Sequence, residues 1–179
     1  LHDEDPRKAP TIIFINEGDH EVEETLVIKY PMRIIGAGRD KTTIRGGGFD
    51  IRGKKKKGKK VVVQNITMER SCGFALNATK GLNFLCDSMT FTQSGNFGVY
   101  VRKTKGRLIN CVITHCGGSG IFCWNALVEL EGDRTEVDGN GHGGFGGYGL
   151  ESVDTSSRIH LLFPLTKECV STNGGEYTT

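Results

Sequence analysis

Apolar and polar positions alternate along this chain in short runs bounded by Gly, Asn, Asp and Ser, and a helical period is absent almost everywhere. Residues 110–124, NCVITHCGGSGIFCW, show the unit: an alternating run, a corner of small residues, then a second run. The unit recurs. Residues 65–71 match 88–94, and both match 110–116, at spacings of 23 and 22 residues. Following the central apolar residue of the run places Val22, Ile44, Met68, Phe91, Ile113, Val137 and Val170 in one column, at intervals of 22, 24, 23, 22, 24 and 33 residues. The last interval is widened by a Gly-rich insertion over 139–149. A unit of this size cannot bury its own apolar face, but stacked copies can, so the period predicts a solenoid.

Each repeat divides into three strands built from Val, Ile, Thr and Phe. The first strands are predicted at 11–15, 32–35, 61–63, 82–85, 107–109, 128–130 and 159–162. The second strands carry the column above, and the third fall at 26–28, 49–51, 74–76, 99–101, 121–123 and 149–151. Three short strands per turn, stacked in parallel, make a coil with three sheets and a dry interior. The expectation is an all-β parallel β-helix of about seven short three-strand turns, one domain over residues 1–179. The chain stops as a repeat opens its next corner, so it reads as a fragment of something longer. Uncapped strand edges at its ends would invite self-association. Asn65, Ser88 and Asn110 suit corners where a polar side chain bonds the next turn, and Gly36, Gly38 and Gly46 to Gly48 suit corners needing unusual φ.

Alternation also assigns the outer faces. If Leu76, Val101 and Cys123 point inward, one face of the third sheet carries Ala75 and Asn77, Tyr100 and Arg102, Phe122 and Trp124, and Glu151. Tyr100, Arg102, Phe122 and Trp124 form the candidate ligand-binding patch, aromatic with a polar handle. The insertion brings Phe145 and Tyr148 as a possible cover. On the second sheet the outward pairs are Thr43 and Arg45, Thr67 and Glu69, Thr90 and Thr92, Val112 and Thr114, Glu136 and Asp138. Paired Thr columns resemble ice-binding surfaces, but the charged residues interrupt the rows, which leaves ice binding a remote alternative.

Charge changes the picture in one place. Lys54, Lys55, Lys56, Lys57, Lys59 and Lys60 lie together in KKKKGKK; with a net charge of +2, the rest of the chain carries −4. This argues against a general nucleic-acid binder and marks one solvated loop as an anion or targeting contact. Cys72, Cys86, Cys111, Cys116, Cys123 and Cys169 form no CxxC pair and no zinc spacing, and no two stack in adjacent repeats. Cys111 and Cys123 fall in apolar columns and read as buried thiols. With no signal peptide visible, the cysteines lean intracellular, although the compartment stays open. No apolar run approaches the roughly 18 residues of a membrane span, so a membrane is not an expected partner.

The segment GDHEVEETLVIKYPMRIIGAGRDKTTIRGG resembles the opening turns of right-handed β-helix proteins of the pectin-lyase-like superfamily. Residues 110–124 resemble their later NCxI…GxGI coils. The resemblance implies right-handed stacking over nearly the whole chain. Its members include pectate lyases, pectin esterases, polysaccharide epimerases, phage tailspikes and substrate-recognition segments of some eukaryotic F-box proteins, so the motifs imply fold rather than activity.

The opening is most similar to pectin esterases, yet their QAVAL, DFIFG and LGRPW segments have no counterpart here. A lyase would need a cluster of Asp for Ca²⁺ and a nearby Arg. The densest carboxylate group is Glu129, Glu131, Asp133, Glu136 and Asp138 around Arg134, with His115 one turn earlier. Glu131, Asp133, Arg134 and Asp138 are therefore the candidate catalytic set if the chain is an enzyme. Apart from that Ca²⁺ no cofactor is expected, and no metal ligands are assigned. The leading expectation is a non-catalytic recognition or scaffold module that binds a protein or polysaccharide on an outer sheet face. A carbohydrate-active lyase or epimerase is the alternative.

Overall fold

The computed structural model describes residues 10–55, 57–143 and 147–171. The chain winds through β1 (Ile12–Ile15), β2 (Gly18–Glu21) and β3 (Leu26–Ile28), then β4 (Arg33–Gly36), β5 (Thr42–Arg45) and β6 (Phe49–Ile51). Three more turns follow: β7 (Lys60–Gln64), β8 (Thr67–Glu69) and β9 (Leu76–Thr79); β10 (Asn83–Asp87), β11 (Thr90–Thr92) and β12 (Val99–Arg102); β13 (Lys105–Ile109), β14 (Val112–Thr114) and β15 (Ile121–Trp124). The sixth turn is β16 (Leu127–Glu131), β17 (Glu136–Asp138) and β18 (Leu150–Val153), after which come β19 (Arg158–Leu161) and the short helix α1 (Lys167–Val170). Every third strand pairs, giving parallel sheets of seven, six and six strands. Among the described residues the coil has six complete turns and the first strand of a seventh, slightly fewer than the about seven turns the sequence suggests.

Inward positions form columns that touch from turn to turn. In the first sheet Val63, Cys86, Leu108, Leu130 and Leu161 succeed one another. In the second sheet the column is His20, Ile44, Met68, Phe91, Ile113 and Val137. In the third it is Leu26, Phe49, Leu76, Val99, Ile121 and Leu150. All but a few of these side chains are under one tenth exposed and join one continuous core, which is the main stabilising term of the fold.

The corners turn by a repeated local device. The residue after most strands takes a positive φ: Asn65 (60°), Ser88 (55°) and Asn110 (51°) after first strands; Arg70 (55°), Gln93 (55°) and His115 (56°) after second strands; Lys80 (49°), Lys103 (56°) and Asn125 (48°) after third strands. Left-handed backbone at one residue swings the chain into the next sheet while its N–H still bonds the following turn, as in Asn65 to the Asp87 carbonyl at 3.1 Å. Asn and Gly accept this φ at little cost; Arg, Gln, His and Lys do so only because the ladder holds them. At Asn110 the expected side-chain bond is present: its Oδ1 accepts from the Arg134 N–H at 3.4 Å.

Four sequence expectations need correction. Val22 packs against the core as expected, but it is not the residue of the first turn that pairs with Ile44. His20 is, its Nε2 bonded to the Asn16 carbonyl at 3.0 Å. Val170 is buried as expected, but on α1, which packs against β17 in place of a strand. Leu76 aligns with Val99, while Val101 aligns with Ala78, so the third strand of that turn lies two residues later and Ala75 is buried rather than outward. Lastly, Gly36, Gly47 and Gly48 have ordinary φ; their Cβ atoms would lie 2.3, 2.4 and 2.1 Å from the carbonyl oxygens of Asn65, Glu24 and Phe74, so close approach is what requires glycine there.

Among the described residues no helix is long and apolar enough to cross a membrane. Cys86, Cys111, Cys116 and Cys123 are buried free thiols, and Cys72 and Cys169 are exposed and free. Burial pushes Cys111 up to about 12 and Cys123 up to about 11, and Cys86 and Cys116 move in the same direction for the same reason.

Candidate functional site

The outward face of the third sheet is built by alternation, since Val99, Val101, Ile121 and Cys123 must face the core. Parallel registry then sets Asp50, Asn77, Tyr100, Phe122 and Glu151 in one outer column. A second outer column holds Thr79, Arg102, Trp124 and Val153. The four predicted ligand-binding residues are thus brought together. Tyr100 stacks on Phe122 with ring centroids 5.3 Å apart and planes 6° from parallel. The Arg102 guanidinium carbon sits 4.2 Å from the Trp124 ring centroid, a cation–π pair.

Two further rings belong to the same assembly, and sequence reasoning missed both. Phe97 stacks on Phe122 at 4.7 Å and lies 6.0 Å from Tyr100, while Phe74 lies 5.0 Å from Tyr100 and 6.0 Å from Phe97. Both precede their strands by two residues and occupy equivalent corner positions, a spacing of 23 that the repeat itself could have revealed. The result is a ladder of four half-buried rings over three turns, bordered by Trp124 and Val153, which are 38% and 37% exposed. Arg102 Nε is buried without a hydrogen-bond partner among the described residues, and the guanidinium packs on Trp124. At the far end Glu151 accepts a 2.6 Å hydrogen bond from Ser119 Oγ, and the Tyr148 N–H reaches the same Oγ at 3.4 Å. Phe145, the other expected covering ring, lies outside the described residues.

The lysine loop leaves the coil between β6 and β7, as its charge requires; Lys54, Lys55, Lys57, Lys59 and Lys60 are exposed, and Lys56 lies outside the described residues. Registry gives it neighbours that the sequence did not suggest. Lys55 lines an open groove of about 680 Å³ with Lys103, Lys105, Arg158 and His160. Lys80 and Lys103 directly follow Thr79 and Arg102, so this basic corner borders the aromatic ladder along one side.

The carboxylate set is dispersed. Glu131, on the first sheet, forms a 2.5 Å ion pair with Arg107. Asp133 and Arg134 are exposed in the corner, and Glu136 and Asp138 lie on the second sheet. His115 Nδ1 contacts Thr114 Oγ1 at 2.8 Å. Among the described residues no group of three or more His, Cys, Asp or Glu could hold a metal, so these residues do not fit the Ca²⁺ centre a lyase would need. On the second sheet Thr43, Thr67 and Thr90 do align, but Val112 and Glu136 continue their column. Beside them Arg45 bridges Glu69 at 2.5 Å and Asp19 at 2.6 Å, which breaks the flat hydroxyl array.

A family model described as a right-handed β-helix region matches residues 10–163. No curated protein and no solved structure matches the chain.

Proposed function

The chain belongs to the right-handed β-helix family, and from that premise we propose that it is a non-catalytic recognition module whose contact surface is the outer face of its third sheet. The observation that carries this reading is the ring ladder of Phe74, Phe97, Tyr100 and Phe122 beside the exposed Trp124. Preordered aromatics of this kind lose little side-chain entropy on binding, which is why such residues dominate contact energetics.

The same geometry favours a polypeptide over a glycan. A sugar ring stacks on an open aromatic face. Here Tyr100, Phe97 and Phe122 turn faces to one another, and a face of Trp124 is taken by Arg102. Ring edges and Val153 suit the apolar side chains of a protein. The basic corner of Lys80, Lys103 and Lys105 suits acidic residues flanking that apolar stretch. The lyase or epimerase reading draws no support from the dispersed carboxylates.

The test is to incubate the chain with acidic and neutral polysaccharides, with and without Ca²⁺, reading both retention and ultraviolet absorbance of unsaturated product. The proposal expects neither product nor retention that depends on Trp124. Product formation that is lost in Asp133→Ala or Asp138→Ala would overturn it.

A further inference from the structure

At the foot of the ring ladder lies a recess of about 280 Å³ between the corner of Gly46 to Gly48 and the wall formed by Cys72, Gly73 and Phe74. Asp50 and Asn77 line it from the sheet, and Glu23 and Thr25 line its rim. Asp50 sits in the outer column of the sheet, yet its side chain is only 4% exposed. A buried carboxylate is costly unless both oxygens are satisfied. Oδ2 accepts from Arg52, by Nε at 2.7 Å and by a shorter bond from the second guanidinium nitrogen. Oδ1 has no hydrogen-bond partner among the described residues. Arg52 therefore answers one oxygen from the solvent side and leaves the other unanswered.

We propose that this recess is a binding site for a primary ammonium group, carried by a small amine or by the side chain of a lysine. Three features of the lining select that chemistry. The recess is lined by the carboxylates of Asp50 and Glu23 and by no basic residue among the described ones, Arg52 standing outside the lining, so an anion is disfavoured. Asn77 Oδ1 already accepts from Thr79 Oγ1 at 2.8 Å, so the acceptor left for an incoming donor is Asp50 Oδ1. Phe74 supplies an aromatic wall, and both of its ring partners, Phe97 and Tyr100, come from the following turn. Its side toward Asp50 is therefore open to a cation.

The site shares Phe74 and the outer face of the third sheet with the contact surface proposed above, but it is tested at Asp50 and Glu23 whereas that surface is tested at Tyr100 and Trp124 on later turns, so failure of one reading leaves the other standing. The experiment is an NMR titration of the ¹⁵N-labelled chain with n-butylammonium, and with n-butanol as the uncharged molecule of the same length. Saturable shifts at Gly46, Gly47, Gly48, Asp50 and Asn77 are expected from the ammonium and not from the alcohol. Asp50→Asn should weaken binding about tenfold or more, the loss expected for a charge-assisted hydrogen bond. Phe74→Leu should weaken it about two- to fivefold. Should Asp50→Asn fail to fold, Glu23→Gln at the exposed rim serves instead, with a loss of about twofold or more. Lysine capped at both backbone ends distinguishes the sources: tighter binding than butylammonium, abolished by ε-acetylation, assigns the site to a partner's lysine, and equal binding assigns it to a free amine. Equal shifts from butanol, no saturable shift up to about 0.1 M amine, or undiminished binding by Asp50→Asn or Glu23→Gln would overturn the proposal.

Discussion

Gly106 on β13 faces the core directly above Phe84 and below Val128 in the first sheet. A Cβ at this position would stand 2.1 Å from Phe84 Cζ and 2.4 Å from Cε1, closer than carbon atoms approach, so the ring occupies the space the glycine leaves. Gly106→Ala should therefore destabilise the coil by about 1–3 kcal/mol, the range for overpacking a filled core. Phe84, itself 2% exposed, should cost about 3–5 kcal/mol when replaced by Ala. The informative outcome is the double substitution. With the ring gone, alanine at 106 fills part of the void and removes the backbone freedom of a glycine inside a strand, worth about 0.5–1 kcal/mol. The sign of Gly106→Ala should then reverse from destabilising to stabilising in the Phe84→Ala background. Urea unfolding of the four chains, with constant denaturant slope as the check on comparable unfolded states, measures the cycle. If Gly106→Ala costs the same with and without the ring, the ring and the glycine are not complementary and the packing argument is wrong.

Four further outcomes follow from the corners, the thiols and the contact face. Lys80, exposed at φ 49°, holds a left-handed conformation that glycine adopts freely, so Lys80→Gly should stabilise by about 0.5–1 kcal/mol, whereas Asn125→Gly at φ 48° should be nearly neutral; thermal melts that rank them the other way would refute the corner account. Cys72 and Cys169 should react with a thiol reagent in the folded chain, and the four buried thiols only after denaturation. Because burial raises the folded Cys111 to about 12 from an ordinary 9.0, its contribution to stability is complete below pH 9 and declines as the pH rises toward 12. In that window the slope is about 1.4 kcal/mol per pH unit, and Cys111→Ala should flatten the alkaline decline in urea midpoints by that amount. Phe97→Ala should disorder the neighbouring rings, seen as lost upfield-shifted aromatic resonances of Phe74 and Phe122; unchanged resonances would show that the ladder is not a unit.

Most of the fold was legible because a β-helix repeats each inward residue as one position of a column. The first-strand series was located throughout, and the second-sheet outward pairs Thr43/Arg45 to Glu136/Asp138 stand in the predicted registry. Errors arose where a polar residue occupies an apolar column or where the corner length changes. His20 escaped notice since Val22 offered an apolar residue two positions away, and the longer corner before β9 moved that strand from 74–76 to Leu76–Thr79. Val170 satisfied the hydrophobic pattern on a helix instead of a strand, as burial alone does not specify backbone conformation.

The contact face was half legible. Tyr100, Arg102, Phe122 and Trp124 follow from alternation within strands, whereas Phe74 and Phe97 reach the ladder from corners, where alternation assigns no direction. The basic groove was hidden for a different reason. Lys55, Lys105 and Arg158 are distant in sequence and meet only because turns stack. Asp50 was overlooked because nothing in its local sequence, FDIR, marks a carboxylate as buried.

The central claim is best tested by panning a peptide-display library in parallel against the wild-type chain and against a Tyr100→Ser, Trp124→Ala double variant. The account predicts that wild type enriches peptides with paired apolar side chains flanked by Asp or Glu, and that the variant binds them about thirtyfold more weakly or worse, as removal of a contact worth about 2 kcal/mol would require. Peptides held equally by both chains, or none held by either, would contradict a recognition face on the third sheet.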